Sequence, residues 1–405
     1  MKKNINRSIA RLLRPHIIII LTTMVSFCAW IFPDIGIGRK GIEYYYSPTA
    51  WGIFICASWL TLIIFLSFVT YEIGSSLGRS SPSLERKIGL NSRGPYILLS
   101  LIGFTGLTYV FLIVIQRAGL QPLLNALSSG KANYIKDTLY SDYSIGLPSL
   151  RYIIIPSAAL GIYHLMNKRY VMLSIMNIFS LASLALISSR LSIMYCLFIL
   201  LPIIANSRQI KLRRRWFLLG IAVLFLILSA LNWSRNQHYY IQYYNQHNWL
   251  LAGLSEIITY LGSPFQGFLA TGTLGNILYG QTEVDLPRFT GIPFGLNTNS
   301  AFNQLVVQAG LLESFVIISL EVSVAAFICG LCSKNLNNYF GLLYGILVYC
   351  FAEQWRVHLF NQGIVITIIV VIASIGIFFY FSSQITLRLS RGVALYGGLK
   401  SEEIK

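Results

Sequence analysis

Residues 234–249 read SRNQHYYIQYYNQHNW, residues 249–265 WLLAGLSEIITYLGSPF, and residues 285–302 DLPRFTGIPFGLNTNSAF. No other stretch of this length is free of long apolar runs. It holds Arg235, His238, His247, Glu256, Glu283, Asp285 and Arg288. What flanks it, and which side of a membrane it faces, decides the fold.

The flanks are apolar. A bilayer crossing takes about 20 mostly apolar residues. Segments of that kind lie at 16–32, 49–70, 95–115, 150–167, 171–188, 190–206 and 216–232 before the stretch, and at 304–330, 339–353 and 363–382 after it. The chain of 405 residues is 55% hydrophobic and 11% charged, with a mean hydropathy of +0.64. A soluble domain carries about 25% charged residues. Lipid is therefore the solvent for most of this chain. The reading is an all-α polytopic membrane protein of about ten transmembrane helices, a single integral membrane domain over 1–405.

Charge fixes the orientation. With the N-terminus inside, the cytoplasmic segments are 1–15, 71–94, 168–170, 207–215, 331–338 and 383–405, and they hold 21 of the 31 Lys and Arg residues. Such a bias is what orients spans, so the net charge of +17 needs no nucleic acid partner. Both termini fall inside, and 233–303 becomes a periplasmic or extracellular loop between spans seven and eight. The basic start, MKKNINRSIARLLRPH, reads as a signal anchor retained as the first span, because no small-x-small cleavage site follows.

The inside loops are short and contain no glycine-rich phosphate loop. That argues against ATP or a soluble nucleotide-sugar as substrate. All six cysteines lie in or beside apolar runs, so a disulfide scaffold is not expected, and Cys329-x-x-Cys332 lacks the second pair a metal site needs. His238 and His247 have no ligand spacing, and no DxD pair is present. Neither a metal nor another cofactor is expected.

Within the outward stretch, Leu250, Leu251, Leu254, Ile257, Ile258 and Leu261 recur at helical spacing, with Ser255, Glu256 and Thr259 opposite. This predicts an amphipathic helix lying at the outer interface or dipping into it. YYIQYY and Trp249 suit an interfacial aromatic belt, and GSPFQGF and TGIPFGLNTNS read as loops.

Four arginines stand at or near the outer boundary: Arg190, Arg235, Arg288 and Arg356. An arginine at membrane depth costs about 2.5–3.5 kcal/mol on insertion scales, so each needs a wet or paired environment. Together they suit a pyrophosphate, which guanidinium contacts bidentately. The alternative for each is snorkelling, or an ion pair with Glu353, Glu256 or Asp285. Arg190 stands out, because a turn of three polar residues between two spans leaves it little surface. Glu256 and His358 are candidates for a general base, with Glu353 a further carboxylate. Glu313 and Glu321 lie eight residues apart on span eight. The deeper Glu321 would suit proton coupling in a transporter.

LISSRLSIMYCLFILL (186–201), ITYLGSPFQGF (258–268) and FGLNTNSAFNQLVVQAGLLES (294–314), together with the spans and the dominant outward loop, resemble the O-antigen or capsular polysaccharide repeat-unit polymerases, the Wzy family. The resemblance covers the whole chain in architecture and short pieces in sequence. It implies a GT-C-like fold in the bacterial cytoplasmic (inner) membrane. It also implies an undecaprenyl-diphosphate-linked oligosaccharide as substrate, membrane lipids as surroundings and a chain-length regulator protein as a partner. The glycan would pass to the acceptor's terminal sugar with release of lipid diphosphate. The arginines and Asn299 would bind diphosphate and sugar. The related ligases often carry a His-Asn pair where this chain has Asn297, Thr298 and Asn299, which lowers the ligase reading. A lipid-linked oligosaccharide flippase is the non-enzyme alternative.

Overall fold

The computed structural model describes residues 5–31, 47–78, 89–128, 138, 146–187, 191–207, 247–282, 285–292 and 299–402, with scattered positions between 215 and 241. In chain order the helices are α1 (Ile5–Leu12), α2 (Pro15–Ile31), α3 (Ala50–Leu77), α4 (Arg93–Ala118), α5 (Leu120–Ser128), α6 (Ile154–Met166), α7 (Val171–Ile187), α8 (Leu191–Asn206), α9 (Trp249–Leu274), α10 (Leu286–Thr290), α11 (Ala301–Ala309), α12 (Leu311–Cys332), α13 (Phe340–Ala352) and α14 (Gly363–Glu402). Among the described residues there is no strand, only one isolated bridge between Gly89 and Asn338.

The chain is thus all-α. Among the described residues, four helical stretches are long and apolar enough to cross a membrane: α3, α4, α12 and residues 363–382 of α14. At 1.5 Å per residue the first three span about 42, 39 and 33 Å, against about 30 Å of hydrocarbon. α2, α7, α8 and α13 are apolar but shorter.

The α3–α12 pair is the framework. Near one end Trp59 packs on the rings of Phe302 and Phe315, with centroids 4.3 and 5.2 Å away. Near the other end the backbones touch: a Cβ on Gly74 would overlap the Phe327 carbonyl, and one on Gly330 would overlap that of Tyr71. Small residues at such crossings are how helices associate in lipid, where the hydrophobic effect gives no drive. α1 packs on α8 with Ile9 buried, and in the short link after it Leu13 is buried while Arg14 pairs with Glu72 of α3 at 3.3 Å.

The expected eighth span, 304–330, is two helices. Gly310, at φ +96°, ends α11, and Asn276 Oδ1 accepts the Leu311 N–H at 2.7 Å to start α12. Glu313 lies in the first turn of α12, where the exposed N–H groups favour an anion. The last expected span, 363–382, continues as helix through the expected tail to Glu402.

The expected helix around Leu250–Leu261 is present but runs on to Leu274. GSPFQGF is therefore helix, not loop. Its glycines mark close approach rather than a turn: Gly262 faces the backbone of Ala29 on α2, and Gly267 faces Asn299. Pro264 has no N–H and disturbs the ladder before it, and Ser26 of α2 donates to the Leu261 carbonyl at 2.7 Å. Further contacts join Trp30 Nε1 to Gln266 Oε1 at 2.8 Å and the Cys56 thiol to the Phe268 carbonyl. α9 therefore crosses the bundle end where α2 finishes and α3 begins. Phe268, Leu269, Ala270 and Thr271 are buried there, so its second half is part of the core.

Candidate functional site

α13 has 13 residues and extends about 20 Å, too short to cross about 30 Å of hydrocarbon alone. After it the chain reverses through EQWRVHLFNQ (353–362) before α14 begins. Glu353, Gln354, Arg356 and His358 are all buried. The turn contacts Glu321, ten residues into α12 and so about 15 Å along that helix. It lies within the bundle, not at its rim.

Irregular backbone at such depth survives only where protein takes its polar groups. Here several of those groups are taken up locally. Arg356 N–H and Val357 N–H both donate to the Glu353 carbonyl at 2.8 Å. α11 supplies two more bonds: Ala301 N–H reaches the Gln354 carbonyl at 3.3 Å, and Gln304 Oε1 accepts the His358 N–H at 2.8 Å. Gln362 Nε2 donates to the His358 carbonyl at 2.9 Å.

The side chains are less complete. Arg356 Nε donates to Glu353 Oε2 at 2.6 Å, while Nη2 is buried with no protein hydrogen-bond partner. His358 Nε2 sits 3.0 Å from Glu321 Oε2, a contact not aligned as a hydrogen bond, and its Nδ1 is buried without a protein partner. Both carboxamide atoms of Gln354 are buried and unbonded as well. A buried polar group left unpaired costs about 1–3 kcal/mol. Such a concentration is a stability liability that a functional site explains.

The surrounding helices are pinned to one another. Asn303 Nδ2 donates to Thr271 Oγ1 at 2.9 Å, tying α11 to α9. Gln266 Nε2 donates to the Thr290 carbonyl at 3.3 Å, tying α10 to α9. Thr23, Trp59, Leu60, Phe265, Gln354 and Trp355 line a small crevice between α2, α3, α9 and the turn.

Of the residues singled out by sequence, Arg356 and His358 fall together in this turn. Arg356 has the ion-pair partner that was the alternative for it, Glu353. Asn299 is partly buried beside Gly267, its Oδ1 without a protein hydrogen bond. Arg288 is exposed on α10, outside the buried cluster. Glu256 lies on the first half of α9, and its side chain is outside what is described, as are Arg190 and Arg235 altogether.

Gln304 and Gln354, and Glu321 as the partner of His358, escape the sequence reading. The signal open to it was the run Glu-Gln-Trp-Arg-Val-His, five polar or amphipathic residues where an apolar span should end. A second buried arginine, Arg151, donates to the Pro148 carbonyl at 2.8 Å and the Tyr152 hydroxyl at 2.7 Å and stacks on that ring. Among the described residues no three His, Cys, Asp or Glu side chains gather as a metal site. No family model matches the chain, and neither a curated protein nor a solved structure matches it.

Proposed function

We propose that the protein is a repeat-unit polymerase that joins undecaprenyl-diphosphate-linked oligosaccharides on the outer face of the bacterial cytoplasmic membrane. In this reading it is a GT-C-like enzyme of ten crossings with both termini inside. The short helices α2, α7, α8 and α13 then count as crossings, α13 completed by the turn that follows it. The observation that supports the reading is Arg356. It is a permanent charge buried in a turn within the bundle, anchored by Glu353 through Nε and keeping Nη2 for another oxygen.

A diphosphate leaving group supplies that oxygen. The acceptor hydroxyl oxygen forms a bond to the anomeric carbon of the donor glycan. The bond from that carbon to the diphosphate oxygen breaks, and its electron pair leaves with the lipid diphosphate. Arg356 stabilises the charge that develops there. The hydroxyl proton passes to a base, for which His358 and Glu256 are the candidates. Arg190, Arg235, Arg288 and Asn299 complete the substrate contacts in this reading.

Deletion of the chain should leave lipid A or the cell surface carrying single repeats in place of long glycan. Arg356→Ala and Arg190→Ala, expressed at wild-type level in that strain, should fail to restore long chains. Normal chain length in the Arg356→Ala strain would sink the assignment of the diphosphate site.

A second reading rests on the Glu321–His358 contact, an acid and an imidazole facing each other inside a crossing helix. That suits a proton-coupled flippase of the same lipid-linked oligosaccharide. Proton-dependent movement of labelled substrate across vesicles, with no polymer made, would select it.

A further inference from the structure

Resting on the polymerase reading, we propose that Gln354 and the crevice it lines form a sugar subsite that receives one hydroxyl of the lipid-linked glycan. Gln354 is 4% exposed, and both its Nε2 and Oε1 are buried without a protein hydrogen bond. Its backbone cannot swing away, because the Ala301 N–H holds its carbonyl and its own N–H reaches back to the Phe351 carbonyl. The residue is thus held at its backbone and its carboxamide is uncommitted.

The rest of the crevice limits the ligand. Trp59, Leu60, Ile63, Phe265, Phe268 and Trp355 make it apolar and largely aromatic, with Thr23 the other polar residue. An apolar site with a few fixed polar groups is the usual make-up of a small-molecule site. Among the described residues no charged side chain lines it, which suits a neutral group. The void is about 10 Å³, the size for a single water. A hydroxyl fits where a whole ring does not. A hydroxyl also both donates and accepts, which matches the donor and acceptor that a carboxamide offers. Trp355 and Phe265 also line the crevice and are not fully buried, so aromatic surface is offered to the sugar ring. Arg356 is two residues along the same turn, so sugar and diphosphate would be read by one rigid segment.

The chemistry makes an uncommon prediction for a polar core residue. Replacing an unbonded buried polar group by an apolar one of similar shape is neutral or stabilising. Gln354→Leu should therefore melt at or above the wild-type temperature yet lose sugar recognition. The probe is the lipid extract of a strain lacking this chain, intact or after mild acid cleaves sugar from diphosphate. The readout is the melting temperature of purified full-length protein in detergent.

Intact extract should raise the wild-type melting temperature, and acid-treated extract should not. Gln354→Leu should need at least tenfold more extract for the same shift. Equal response in the variant would mean that the crevice holds only water. An equal shift from acid-treated extract would mean that sugar is not read, and a lower melting temperature of the variant without extract would mean that the carboxamide serves the fold. Each of these, or no shift in the wild type, overturns the subsite. The polymerase reading falls by a different result, long glycan still made by the deletion strain.

Discussion

The α3–α12 pair and the 353–362 turn lie side by side in one bundle and handle polar groups in opposite ways. In the pair, hydroxyls bond back into their own helices: Ser67 to the Ile64 carbonyl, Thr70 to Leu66, Ser314 to Leu311 and Ser319 to Phe315. The helices then meet through aromatic rings at one end and glycines at the other. In the turn, α11 bonds the Gln354 carbonyl and the His358 N–H, but Gln354, Arg356 and His358 keep buried atoms unbonded. The difference teaches where to look for function in a chain that buries polarity at a penalty. A closed polar group serves the fold, whereas an open one in a pinned turn is available to a ligand.

The sharpest way to break this contrast is to remove one half of the buried ion pair. Glu353→Ala leaves Arg356 buried without its carboxylate, and loss of one partner costs about 3–5 kcal/mol. The double variant Glu353→Ala with Arg356→Leu should recover most of that stability, measured by unfolding in detergent, and still make no long glycan. If the double variant polymerises normally, the turn is structural and the contrast collapses.

A smaller effect tests the framework. Gly330→Val puts side-chain atoms where α3 passes, and overpacking of this kind costs about 1–3 kcal/mol. The expected result is lower yield of folded protein, with activity per folded molecule unchanged, because the crossing lies at the far end of α12 from Trp59 and the crevice. Activity lost at full folding would show that the two regions are coupled. The smallest effect belongs to Arg14 and Glu72, whose side chains are 41% and 46% exposed. A double-mutant cycle should give at most about 1 kcal/mol, falling with salt. A larger coupling would mean that the link between α1 and α2 does more than rest on α3.

Much of the fold is legible in the sequence. The expected boundaries at 16–32, 49–70, 95–115, 171–188, 190–206 and 339–353 fall close to α2, α3, α4, α7, α8 and α13, because apolar run length is a local property. The departures have local causes as well. Gly310 splits the eighth segment because its φ of +96° turns the chain. GSPFQGF looks like a loop because glycine and proline usually break helices. Here Ser26 takes up a carbonyl near Pro264, and α2 needs the glycine to come close. Arg356 and His358 were visible as candidates because a charge beside an apolar run is conspicuous. Gln304 and Gln354 were not, because an amide near a span end looks like any boundary residue.

By itself the sequence determined that this is a helical chain made for lipid, where its apolar stretches begin and end, and that Glu353 and Arg356, three residues apart, could pair. Those follow from run length, composition and short-range geometry. Only the tertiary structure decided that His358 faces Glu321, that Gln304 holds the His358 backbone, that Trp30 reaches Gln266, and that Gln354 is sealed beside Trp59 and Phe265 with its amide unused. Such pairings join residues tens to hundreds of positions apart. They depend on which helix faces pack together, and a pattern along one strand of sequence does not record that.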